Sequence, residues 1–322
     1  LELVLERPVL PVFWVASEDH DWAEANHTEI IGVDNEIHRI ELEKMDSEVH
    51  PPIHRIQIGS AGRDRIEEFV QTLPDTDFSS CYIELIRGSF RPESTLADRF
   101  HALLQELLGR FGVFFTDAAH PAVKRHSSQM LLEELERAEE LEAVLATTGE
   151  ALSAAGYALQ VPLLKGGVNM FMEGPAGRER LYREGDGFRL RTSGVHVTLE
   201  DVKERQAKNP LVLSPNVLLR PVVESSVFPT LSYVGGPGEI AYFAQLGEYF
   251  RAHGLEMPVV HPRFGVTLVE KKIRKILDKF ALPLRVLERP FHEVAGEIAR
   301  AGVPAEVEQA IEGLKGSVIK GT

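Results

Sequence analysis

The sequence holds a single cysteine, Cys81, so no disulfide can form within its 322 residues. That suits a reducing compartment, and a cytoplasmic protein is expected. Basic residues are also short: 35 Lys and Arg stand against 49 Asp and Glu, a formal net charge of -14 at pH 7. Phosphate backbones and anionic lipids repel so acidic a surface. This argues against nucleic-acid and membrane partners, while leaving room for a local basic pocket that takes an anionic substrate. No apolar run is long enough to cross a bilayer. The opening LELVLERP has no basic stretch followed by a cleavable apolar one, so no signal peptide is expected there. Neither a CxxC nor an HExxH pattern occurs, and no repeat stands out at solenoid periods. The chain opens on Leu1 rather than Met, which reads as a piece of a longer protein.

What is present suffices for a core. With 43% hydrophobic and 26% charged residues, the length suits one large domain or two smaller ones. Residues 8–17 (PVLPVFWVAS) read as a strand covered on both faces, as in a parallel sheet. Residues 29–43 alternate apolar and polar around Asp34-Asn35, a hairpin, and 53–58 read as a short third strand. Ser94 or Thr95 caps a helix with Leu96, Phe100, Leu103, Leu104 and Leu107 at helical spacing, and Val113 to Thr116 form another buried strand. Strand, helix, strand implies a right-handed crossover and a parallel sheet. Residues 127–155 read as one long acidic helix with the stripe Leu131, Leu135, Ala138, Leu141 and Leu145. Residues 157–194 look β-rich, with a hairpin turn at Gly185-Asp186-Gly187. Strand and helix alternation resumes at 211–213, 231–234 and 258–260. The expected division is 1–125, first part of the core with a small β excursion; 126–208, an inserted α+β subdomain; 209–290, second part of the core; and 291–322, the start of a helical region.

In open parallel α/β sheets, ligands bind outside the carboxyl ends of the strands. Five such ends carry polar or glycine-rich clusters: Ser17-Glu18-Asp19-His20-Asp21, Asp117 to His120, Ser214-Pro215-Asn216, Gly235-Gly236-Pro237-Gly238-Glu239, and His261-Pro262-Arg263. The first is the densest and continues through Glu24, Asn26 and His27. Helical spacing would put His20, Glu24 and His27 on one face, a pattern fit for acid–base work or, as a lesser reading, a zinc site from His20, His27 and a carboxylate. The plainer reading is a solvated helix N-terminus, and no metal is assigned. Gly235, Gly236 and Gly238 let backbone N–H groups approach an anion at a helix start, or simply make a tight turn. Ser214 and Asn216 contact ligand oxygens or cap a helix. Arg220 and Arg263 are candidate anion clamps. Asp117 and His120 read as cap and loop residues, Cys81 as near-core, and the basic run 271–275 as a solvated helix face.

The strings PVFWVASEDHDWAEANH, LLKGGVNMFMEGPAGRERLYRE and LSPNVLLRPVVESSVFPTLSYVGGPGEIAYFAQL resemble the bacillithiol-pathway cysteine-adding enzymes, the BshC family, from about residue 9 to about residue 289. The resemblance implies an α/β fold with a Rossmann-like parallel core and inserted α+β connecting segments, distantly like class I aminoacyl-tRNA synthetases and nucleotidylyl transferases. It also implies a C-terminal helical coiled coil that makes a homodimer. The reaction it implies adds L-cysteine to the glucosamine amine of glucosaminyl-malate, the last step of bacillithiol biosynthesis. An amide made from a free carboxylate needs activation, so ATP, with Mg, is the expected co-substrate, through an acyl-adenylate or an acyl-phosphate; no tightly bound cofactor is expected. On this reading His20 deprotonates the attacking amine, with Asp19 or Asp21 orienting it. Ser17, Asn26 and His27 help hold substrate; Ser214, Asn216, the 235–238 loop and Glu239 serve carboxylate or phosphate; and Arg220 and Arg263 neutralise the malate. Two departures stand out. The family's upstream GQQxG-like segment and most of the coiled coil are missing, and HIGH or KMSKS signatures are not recognisable. Alternatives are a nucleotidyl or glycosyl transferase using the same crevice, and a non-catalytic binding or scaffold subunit.

Overall fold

A computed structural model describes residues 2–42, 51–89, 91, 93–301 and 307. It divides into two compact units, Leu1–Arg263 and Phe264–Thr322.

In the first unit a short helix α1 (Glu2–Leu5) precedes strand β1 (Val12–Val15), which pairs in parallel with β4 (Phe114–Asp117), Val15 lying opposite Asp117. Between them come helix α2 (Trp22–Ala25), the hairpin β2 (His27–Ile31) and β3 (Ile37–Glu41), and helices α3 (Gly59–Thr72), α4 (Ser79–Ser89) and α5 (Leu96–Leu108). Asn35 takes the hairpin turn at φ 64, a region Asn tolerates better than most residues. The expected third strand at 53–58 is instead a 3-10 turn, Ile53–Arg55, behind Pro52. Its N–H groups reach back to the loop after β1: Ile53 to the Asp19 carbonyl and His54 to that of Ser17. Thr95 and Asp98 close a capping box on α5. The Cys81 expectation fails, for Cys81 lies on the exposed face of α4.

The long acidic helix is two helices, α6 (Pro121–Glu136) and α7 (Ala138–Ala154), hinged at Arg137. Arg137 leaves helical geometry (φ -109, ψ 19), and its Nη1 donates to the Ala252 carbonyl at 2.8 Å. The apolar stripe from Leu131 to Leu145 is buried across the bend. It packs on an antiparallel sheet of order β8-β7-β6-β5-β9, from β5 (Gly167–Gly174), β6 (Gly177–Glu184), β7 (Gly187–Leu190), β8 (His196–Val197) and β9 (Leu213–Pro215). Helix α8 (Leu199–Lys208) lies between the last two strands in sequence. Residues 157–164, expected to be extended, form no strand. Strand β9 was expected to resume the parallel core, yet it joins this sheet, Met170 opposite Pro215. Helix α9 (Arg220–Val227) then leads to β10 (Ser232–Gly235), parallel to β11 (Val259–Pro262), with α10 (Pro237–Phe243) and α11 (Gly247–Ala252) between them. The parallel strands thus form two separate pairs among the described residues. The main core joins the α6–α7 stripe, Met170, Met172 and Leu213 of the sheet, and Val222, Phe243 and Phe250. Full burial of each such side chain contributes roughly 1.5–3 kcal/mol.

In the second unit, α12 (Lys271–Lys279) buries Leu277 and exposes its lysines, and α13 (Phe291–Ala301) follows. The rest of the expected helical region, 302–306 and 308–322, lies outside the described residues. No helix among the described residues is long and apolar enough to cross a membrane.

Candidate active site at the ends of the parallel strands

The carboxyl ends of β1 and β4 meet through one short hydrogen bond, Ser17 Oγ donating to Asp117 Oδ1. The same oxygen accepts the Ala119 N–H at 2.7 Å, so Asp117 fixes both loops. The Ser17 carbonyl accepts the His54 N–H at 3.0 Å and His54 Nδ1 at 3.2 Å. A carbonyl only accepts, so Nδ1 carries the His54 proton and Nε2, buried and without a partner, is a bare lone pair. Burial pushes the His54 pKa down.

Behind this loop Glu18 pairs with Lys124 of α6, whose Nζ also donates to the Leu213 carbonyl at 2.6 Å. Burial raises the Glu18 pKa, and Lys124 opposes it. Asp19 Oδ1 accepts the His20 N–H at 2.7 Å, with Arg178 Nη1 3.7 Å away. Asp21 caps α2, accepting from the Glu24 N–H at 3.3 Å.

Helix α2 is only four residues long, which overturns the helical face drawn through His20, Glu24 and His27. Asn26 ends the helix and His27 opens β2. Asn26 is buried, donating to Glu41 at 3.2 Å and meeting His27 Nδ1 at 3.0 Å, so both are held in the hairpin. A zinc site on that face therefore has no geometric basis, and no three His, Cys, Asp or Glu among the described residues are placed to hold a metal ion.

The residue that gathers the site is Arg178, from β6. Its Nε donates to Ser214 Oγ at 2.8 Å, Nη2 to the Pro215 carbonyl at 3.0 Å, and Nη1 lies 3.2 Å from His20 Nδ1. Its guanidinium sits 3.9 Å from the centre of the Phe171 ring. Three of the five strand-end clusters, those of Ser17, Asp117 and Ser214, are thereby joined. Beside them lies a cavity of about 720 Å³, walled by His54, His101, Asp117, His120, Phe114 and Phe228. Arg178, Lys124 and His54 went unread in the sequence. Asn216 points elsewhere: buried, it braces the turn before α9 by accepting from Leu218 and Leu219 N–H and donates to Asn169 at 3.0 Å.

A second group forms around Arg220, which donates to the Tyr242 hydroxyl at 2.8 Å and pairs with Glu224 and Glu239 at 3.3 and 3.8 Å. Burial pushes the Glu224 carboxyl up to about 7 despite Arg220. Burial works against Glu239 as well, but the Gly236 N–H, the Tyr233 hydroxyl and Arg220 hold it below its ordinary value. The Gly236 N–H donates to Glu239 at 2.8 Å, so the glycine loop already serves a carboxylate of its own. A Cβ at Gly236 would lie 2.7 Å from Arg263 Nη2, which brings the last cluster here. Arg263 N–H donates to the Gly235 carbonyl at 2.7 Å; Gly238 lies in the first turn of α10.

These features define a mixed α/β protein with parallel strand pairs and a polar crevice at their carboxyl ends. A family model described as "Bacillithiol biosynthesis BshC, N-terminal Rossmann-like domain" matches residues 1–264. The chain belongs to the BshC family. It is 32% identical over 313 residues to "Putative cysteine ligase BshC" of Salinibacter ruber, covering 96% of this chain and 57% of that protein. The protein of the same name from Symbiobacterium thermophilum is 35% identical over 301 residues, 89% of this chain and 53% of its own length. That from Bacillus cereus is 29% identical over 306 residues, 94% and 56%. The chain thus spans about half the length of the curated relatives it matches.

Proposed function

We propose that the protein is a ligase that joins the carboxyl group of L-cysteine to the glucosamine amine of glucosaminyl-malate, completing bacillithiol in the cytoplasm. The observation that carries this reading is that buried Arg178 joins His20 of the loop after β1 to Ser214, while Ser17 of the same loop bonds Asp117 at the end of β4, in a chain whose relatives are named for cysteine ligation. Polar groups gathered there suit a small, charged substrate. ATP, with Mg, is the co-substrate we assign, because an amide cannot form from a free carboxylate without activation. The adjoining cavity supports this: its volume suits a nucleotide, Phe114 and Phe228 offer an aromatic wall for a base, and the first turn of α6 offers a dipole for phosphate. Arg220 and Arg263 are assigned to the malate carboxylates. In the full-length protein a C-terminal coiled coil makes the homodimer.

The test is turnover by the full-length enzyme with glucosaminyl-malate, cysteine and ATP, read by mass spectrometry. Bacillithiol with AMP or ADP is the expected result, and the nucleotide names the activation. Binding of glucosaminyl-malate without product would favour a scaffold subunit, and product only with a nucleotide sugar would favour a glycosyl transferase.

A further inference from the structure

A guanidinium carries five N–H donors and no acceptor, and it does not deprotonate in proteins. A ring nitrogen 3.2 Å from Arg178 Nη1 must therefore present its lone pair. His20 Nδ1 is that nitrogen, so the proton of the neutral ring sits on Nε2. Arg178 is not free to turn away. Its side chain is 9% exposed, two of its other donors are committed to Ser214 and the Pro215 carbonyl, and its plane rests on Phe171. Phe171 also meets the His20 ring at 6.1 Å, nearly edge-on. The rival partner for Nδ1 is Asp19 Oδ1, but it lies farther off at 3.4 Å, is 62% exposed, and already accepts the His20 backbone N–H.

We propose that Arg178 is a positioning residue that fixes His20 as its Nε2–H tautomer, so that His20 meets substrate as a hydrogen-bond donor and not as the proton acceptor. To act as a base at Nε2 the ring would carry its proton on Nδ1, facing the guanidinium, donor against donor. A donor suits the carbonyl oxygen that takes up the electron pair when an amine adds to an activated carboxyl. The amine proton then leaves to water or to the departing phosphate. The use of this donor in amide formation rests on the ligase reading; the tautomer does not.

The experiment uses the full-length enzyme with histidine-selective ¹⁵N labelling, solid-state nitrogen spectra, and turnover of His20→Gln, His20→Ala, Arg178→Met and Arg178→Lys. The His20 signals are those lost in His20→Gln. Nδ1 unprotonated and Nε2 protonated in the wild type, lost in Arg178→Met and restored in Arg178→Lys, is the expected pattern. A protonated Nδ1 in the wild type would overturn the proposal whatever the turnover. Glutamine places an N–H near the position of Nε2 but offers no base. His20→Gln should therefore keep turnover within about tenfold of wild type while His20→Ala loses on the order of a hundredfold or more. Equal loss in both would overturn the donor role. Wild-type turnover in His20→Ala would instead sink the catalytic use of His20 in the ligase reading, with the spectra still deciding the tautomer.

Discussion

An ammonium group 2% exposed beside a carboxylate 12% exposed is a pair that neither partner survives alone. Lys124 holds Glu18 and the Leu213 carbonyl together, joining the loop after β1 to β9. Removing the lysine leaves Glu18 buried without its counter-charge, a loss of about 3–5 kcal/mol. Lys124→Met should lower the urea midpoint accordingly, and Lys124→Met with Glu18→Gln should recover most of the loss. A single variant as stable as wild type would show that the pair contributes little. At this scale the sequence was legible where the signal is local. Ser17, Asp19 and His20 follow an apolar strand directly, and their place at its end could be read from that alone, although β1 is not covered on both faces as expected: Val12 and Phe13 are exposed and only Val15 is buried. Arg178 could not: its contact with His20 spans 158 residues, and its setting, GRERLYRE, marks a strand without naming what the strand faces. Lys124 and His54 meet their partners across 89 and 37 residues for the same reason. Asp117 was read as a local cap, and it is one, but it also ties two strand ends together.

Helix α9 carries Arg220 and Glu224 one turn apart, on a face shared with Glu239 and Tyr242. Burial raises the Glu224 carboxyl from its ordinary 4.5 to about 7. The folded state therefore binds a proton that the unfolded chain has released between these values. Stability from this group is full below about pH 4.5 and is lost as pH rises toward 7 and beyond, by about 3 kcal/mol in all. Glu224→Gln keeps the shape and a hydrogen-bonding oxygen but removes the titration. Thermal unfolding followed from pH 5 to 8.5 should fall less steeply with pH in Glu224→Gln than in wild type, and parallel curves would contradict the assignment. Elements themselves were legible where periodicity was long. The stripe from Leu131 to Leu145 was found intact, yet the bend at Arg137 was not, because it is set by a bond to the Ala252 carbonyl 115 residues away. Strand β9 was placed in the wrong sheet because a short apolar run reads alike in a parallel core and beside β5.

On the scale of the whole molecule, two independent observations draw one boundary. The contacts of the chain divide after Arg263, and the family model ends at residue 264. The main core is complete before that point: its buried members run from Leu131 to Phe250, and the last residue packed against it is Val260. A unit that owns its core can unfold as one cooperative body. The prediction is that a chain ended at Arg263 keeps the far-ultraviolet spectrum expected of its share of helix and strand. It should unfold in a single transition within a few degrees of the corresponding transition in the 322-residue chain. A truncated chain that is soluble but lacks a cooperative transition would mean that residues 264–322 belong to the same folding unit, and that the agreement between contact division and family boundary reflects sequence history and not an autonomous fold. If the transition persists, the strand-end crevice, which lies wholly within residues 1–263, becomes a target for titration with ATP and with glucosaminyl-malate in the smaller chain. A shift of that transition to higher temperature, growing with ligand concentration, is the expected sign of binding.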